Sequence, residues 1–181
     1  MKGRFMKSKV VLLQCKNYDE QTVYEKLKFG IELLGGISHF VKDGERILLK
    51  PNLVRKAEVA RAVITHPSVM GGVARIFSEA GFKNMVCGDS CGVGTAKKTM
   101  AGTGMEEILL KYGVTVKDFE KGTKVAFKEG TQADGFIIAD EVLEADAVIN
   151  VCKMKTHALE RITGAVKNTV SYTHLRAHET R

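Results

Sequence analysis

Three short apolar runs do most to limit the folds open to this chain. Ile47-Leu48-Leu49, Met85-Val86-Cys87 and Val148-Ile149-Asn150-Val151 are largely apolar at consecutive rather than alternate positions. Successive side chains of a strand point to opposite faces, so such a run must be covered on both faces. They are predicted as central strands, within strand segments 46–50, 84–87 and 147–152. Residues 9–15 read as a further buried strand and 114–118 as another. Helical patterns separate them. Asp19 can cap a helix over 20–34 that Gly35-Gly36 stops, Thr65-His66-Pro67 opens one that runs to about residue 80, and 105–112 is helical up to Gly113. Segments 124–128 and 136–139 suggest a hairpin-like excursion, and a short helical segment is expected after Thr156. Strands alternating with helices imply a three-layer α/β domain, a mainly parallel sheet with helices on both faces.

The domain is expected to span residues 7–170 and to be incomplete at its C-terminus. Residues 171–181, SYTHLRAHETR, show no apolar periodicity and hold two of the five histidines. They resemble the endings that adapter-derived sequence leaves on truncated metagenomic reading frames, and are read as a non-native tail without function. At 44% hydrophobic and 27% charged, the chain has the composition of an ordinary globular domain. Its apolar runs are too short to span a bilayer. Four scattered cysteines fit a reducing compartment better than a disulfide framework, so a cytoplasmic setting without membrane contact is expected. The net charge of +7 is spread along the chain, and aromatic residues make up only 7%, so a base-stacking surface and a nucleic-acid partner are not expected.

Ligands of open parallel sheets bind beyond the carboxyl ends of the strands. Lys50, Pro51 and Asn52 follow the 46–50 strand, and Thr65 and His66 begin the next helix. Asp89 and Ser90 follow the 84–87 strand, and Lys153, Lys155, Thr156 and His157 follow the 147–152 strand. Each has an ordinary structural role open to it: strand exit, helix cap, turn or solvated cation. Convergence on one edge is what predicts a cleft, and lysines beside helix starts suit a carboxylate or phosphate. Several other motifs fail. In Gly92–Thr99 the glycine that should precede a phosphate-loop lysine is Ala96. Cys87 and Cys91 lack the further cysteines of a zinc or iron–sulfur site. Cys91 in its polar loop is a minor candidate for a reactive thiol. Asp89, His66 and His157 could ligate a metal, but their types select none, so the metal remains unassigned.

Five segments in order carry a resemblance: ILLKPNL (Ile47–Leu53), THP (Thr65–Pro67), GDS (Gly88–Ser90), NVCKMKTH (Asn150–His157) and ITGAVKN (Ile162–Asn168). In these the chain resembles the DUF362 domain proteins, over about residues 7–169. The resemblance implies that longer members are often joined to a C-terminal ferredoxin-like module with four-cysteine [4Fe–4S] motifs. No such motif lies in this chain, so no cofactor is expected here, and a [4Fe–4S] cluster would belong to a full-length protein. Two functions are expected to compete. In one, Lys50, Asn52, Thr65, Ser90, Lys153, Lys155, Thr156, Lys167 and Asn168 bind a small anionic molecule, with His66, Asp89 and His157 as catalytic groups, as part of an iron–sulfur redox enzyme. In the other, the domain is a non-catalytic docking or electron-transfer scaffold for the ferredoxin-like module.

Overall fold

The computed structural model describes residues 8–131, 133–157, 159 and 161–170, so residues 171–181 lie outside the described residues. Four strands form the main sheet: β1 (Ile47–Pro51), β2 (Met85–Asp89), β3 (Val114–Asp118) and β6 (Ala147–Val151), in the order β3-β2-β1-β6 with every pairing parallel. The alternation of side chains explains the unbroken apolar runs. Ile47 and Leu49 enter a core with Met85, Cys87 and residues of α2 (Pro67–Glu79), among them Met70, Val73, Ala74 and Phe77. Leu48 and Val86 point the other way, to Phe119, Ala139, Val142 and Val148. The first face is covered by α2 and α4 (Met105–Lys111), with α1 (Glu20–Leu33) packed on α2. The second carries the antiparallel hairpin of β4 (Gly122–Ala126) and β5 (Gly135–Ala139), and the short α5 (Asp140–Leu143). The three-layer α/β arrangement expected from the pattern is therefore present.

Local chemistry sets the helix starts. The Asp19 carboxylate accepts the Thr22 N–H at 2.9 Å and caps α1. His66 caps α2, with Pro67 in its first turn. Gly88 permits a close approach within the sheet: a Cβ there would meet a Phe119 ring carbon at 2.6 Å and the Lys117 carbonyl oxygen at 2.7 Å.

Three expectations are corrected. Residues 9–15 join no sheet among the described residues, and Val10 and Leu12 are largely exposed, because the segment lies along α1 instead of beside a strand. Strand β6 is the edge of the four-stranded sheet and mostly half-buried, not central. A run of apolar residues marks what a strand can bury without fixing its place in the order. After β6 the chain forms an antiparallel hairpin of β7 (Lys155–His157) and β8 (Arg161–Thr163), where a helix was expected. The helix that follows, α6 (Ala165–Thr169), begins only after Gly164.

Candidate functional site

The carboxyl ends of β1, β2 and β6 meet at one edge, and the polar residues there fall into two groups. The inner group is an ion pair. Lys50 is fully buried, with Nζ 2.5 Å from Asp89 Oδ1 and 3.3 Å from the Pro51 carbonyl. Register explains the meeting. Leu49 stands opposite Cys87, so Asp89 lies two residues further along the neighbouring strand, level with the exit of β1. The other carboxylate oxygen of Asp89 accepts the Leu53 N–H at 2.7 Å, which ties the loop after β1 to β2. Burial pushes the Lys50 ammonium below its ordinary pKa, and the Asp89 charge opposes this. The pair is closed to solvent, so its charges are directed at each other.

Around it runs an amide and hydroxyl network. The Thr65 hydroxyl accepts the Asn52 N–H at 2.9 Å and donates to the Val151 carbonyl at 2.8 Å, joining the exits of β1 and β6. Asn168, buried on α6, donates to the Pro51 carbonyl at 3.1 Å and to Asn150 Oδ1 at 2.8 Å, and accepts from Asn52 Nδ2 at 3.0 Å. Asn150 in turn donates to the Ala165 carbonyl at 3.0 Å. Asn150 was not singled out from the sequence. The available signal was its amide within an otherwise apolar strand, where a buried polar group must find partners.

The outer group is cationic. Lys155 is half-buried, and its ammonium donates to Asn52 Oδ1 and, at 2.9 Å, to the Val63 carbonyl. Burial and the nearby Lys153 charge lower its pKa, while Asp89 opposes them. The Lys153 ammonium lies 6.0 Å from the centre of the Tyr18 ring, and Tyr18 stacks on His66 with centroids 3.8 Å apart. Tyr18 was also missed, since it lies far from the sheet edge in sequence. Burial, then the Lys153 charge, lowers the pKa of His66. The Ser68 N–H donates to His66 Nδ1 at 3.2 Å, with the Ser68 hydroxyl 2.8 Å from the same nitrogen. Nδ1 is thus the accepting nitrogen, which leaves the ring proton on Nε2.

The other candidates lie around this centre. Lys155 and His157 share one face of β7 by strand alternation, and the exposed Thr156 takes the other. His157 Nδ1 accepts the Leu159 N–H at 3.3 Å. Ser90 is half-buried directly after Asp89, and Lys167 is exposed on α6. The phosphate-loop reading fails for a physical reason too. The short helix α3 (Ala96–Met100) is capped by Thr95, and the Asp118 carboxylate accepts the Lys97 N–H at 3.0 Å, so a carboxylate already occupies that end. Cys91 is a poor nucleophile, because burial pushes its thiol up to about 11. Cys87, inside β2, is pushed up as well.

Among the described residues, no three His, Cys, Asp or Glu side chains gather as a metal would require. The four cysteines are free thiols: Cys15 is exposed, Cys87 buried, and Cys91 and Cys152 half-buried. Nor is any helix among the described residues long and apolar enough to cross a membrane.

Fold and edge together define a doubly covered parallel α/β domain with a buried ion pair and a cationic rim. The chain belongs to the DUF362 family, described as a domain of unknown function, whose profile matches residues 47–179. It is similar to a thylakoid-associated protein of Synechocystis sp., with 35% identity over 166 residues, covering 90% of this chain and 50% of that relative. The chain therefore spans half the length of this curated relative. No solved structure matches it.

Proposed function

We propose that this DUF362 domain binds a small anionic ligand at the cationic rim formed by Lys153, Lys155 and His66. One observation carries the reading: Lys155 is held at the sheet edge by Asn52 and the Val63 carbonyl, while Lys153 lies over the Tyr18 ring that stacks on His66, so three potential cations gather there. Burial first and the Lys153 charge second lower the pKa of both Lys155 and His66. The carboxylate that opposes it, Asp89, is buried against Lys50. Partly dehydrated cations in mutual repulsion attract a counter-charge, and an anion relieves the repulsion. Lys155, held by Asn52 and the Val63 carbonyl, is pre-positioned, and His66 offers Nε2–H as a donor. A carboxylate or phosphate suits these donors.

The test is calorimetric titration with inorganic phosphate and, separately, a small dicarboxylate. One of them is expected to bind, and Lys155→Met to weaken that binding by about 1–3 kcal/mol, the scale of a charged hydrogen bond. Absence of binding by both, or equal binding by Lys155→Met, would overturn the reading.

Any catalytic role within this scheme falls to His66 through Nε2, and to His157, because Asp89 is committed to Lys50 and to the Leu53 N–H. Redox chemistry by an iron–sulfur cluster would come from a module outside this chain. The four free thiols support a reducing, cytoplasmic setting. The docking-scaffold reading is favoured by a separate observation, the exposed apolar segment beside α1.

A further inference from the structure

Residues 8–16 form neither helix nor strand among the described residues. Val11 and Leu13 are half-buried against α1. A Cβ at Gly30 would lie 3.2 Å from Leu13 Cδ1 and 3.9 Å from Val11 Cγ1. Val10 and Leu12, on the opposite face, are 86% and 95% exposed. This segment borders a groove of about 490 Å³ whose other wall includes Val23, Leu27, Ile31 and Leu34 of the α1 region, and Val69. Of that apolar stripe only Val23 is fully buried. The segment therefore has the two-sided apolar signature that places β1 and β2 inside the sheet, yet it covers one face only. Among the described residues its backbone pairs with no strand, a condition that folded proteins seldom leave in place.

We propose that residues 9–15 are one strand of a second β-layer, completed by an apolar β-strand from polypeptide outside residues 1–181, for which the unmatched half of the Synechocystis relative supplies the length. Two observations select this occupant over a second copy of the chain, and a third shows that the site admits a strand. The relative carries as much polypeptide outside the matched region as within it. Each copy of this chain has a net charge of +7, so self-association is opposed by repulsion. The groove also leaves room against α1 for the side chains of an added strand, as in strand-addition complexes. The groove adjoins the proposed anion site at Tyr18, which lines the groove and stacks on His66, but the proposal does not rest on anion binding.

Hydrogen exchange on two intact proteins tests it: this 181-residue chain and the full-length Synechocystis relative. The amides of residues 9–15 are expected to exchange at unprotected rates here, and the corresponding strand of the relative about 100-fold more slowly or slower still. A photo-cross-linking side chain at the relative's equivalent of Leu12 is expected to capture a peptide from its unmatched half. Equal exchange in the two proteins, or capture confined to the matched half, would overturn the proposal. Leu12→Asp, at an exposed position, should leave this chain folded and its sedimentation monomeric like that of the parent. A concentration-dependent dimer of the parent that Leu12→Asp abolishes would make a second copy the occupant and would equally overturn it.

Discussion

Replacing Lys50 with Met leaves the Asp89 carboxylate, 3% exposed, without its counter-ion. Removing one member of a buried pair costs about 3–5 kcal/mol, whereas replacing both by apolar residues costs far less. In urea unfolding, Lys50→Met is expected to lose about that amount, and Lys50→Met/Asp89→Leu to recover part of it. A loss below about 1 kcal/mol for the single variant would place it in the range of a surface pair and contradict the buried geometry. His66 gives a pH prediction. The folded state holds its imidazole neutral, with a pKa below the ordinary 6.5, through burial and Lys153. The unfolded chain takes up the proton first on acidification. This contribution to stability is thus fully present above about pH 6.5 and lost as pH falls from there through the folded value. His66→Asn, which keeps a capping side chain, should remove that part of the pH dependence in thermal unfolding monitored between pH 7.5 and pH 5, the window in which imidazoles titrate. At this scale the sequence showed which residues stand at the strand exits, because apolar runs end visibly. It did not show that Lys50 turns inward, since only the β1–β2 register brings Asp89 to it.

Helix α6 depends on its neighbours. Five residues cannot sustain a helix in water, so its place is set by the contacts it makes. Asn168 supplies three of these, to Pro51, Asn52 and Asn150, across two strands. Asn168→Ala is expected to destabilise the domain by about 1–3 kcal/mol, the cost of leaving buried polar groups unsatisfied. The accompanying change should be faster hydrogen exchange in α6. Unchanged exchange there would mean that other contacts hold the helix. The motif ITGAVKN was legible as part of the site, but its hairpin was not. The spacing of Lys155, Thr156 and His157 suits a helix start as well as a strand, and the pairing of Thr156 with Ile162 arises only when the chain folds back. Strand β6 was misplaced for a related reason: its pattern reports burial capacity, while its edge position depends on the order of crossovers.

For the whole molecule, parallel pairing carries the argument. It brings every strand exit to one side, which is why a cationic rim could be foreseen from residues more than 100 positions apart, such as Asn52 and Lys155. The unused half of α1 could not be foreseen, because an amphipathic helix looks the same in sequence whether its stripe is covered or open. The charge of the molecule links the rim to its stability. With a net charge of +7, the folded domain works against its own repulsion, and a bound anion acts at the place where three potential cations meet. A ligand at about 100 times its dissociation constant, bound only by the folded state, stabilises by about 2.7 kcal/mol. For a chain of this size that raises the melting temperature by roughly 5–10 °C. Inorganic phosphate is the first probe, with sodium chloride at matched ionic strength as the control for screening. The increment should grow as pH falls toward the range in which His66 gains a proton, because the bound anion favours the charged imidazole. Lys155→Met should lose most of the increment. Lys111→Met, on α4 away from the rim, should keep it. Equal increments from phosphate and chloride, or an increment that survives in Lys155→Met, would assign the effect to general screening of +7 and leave the rim without a ligand.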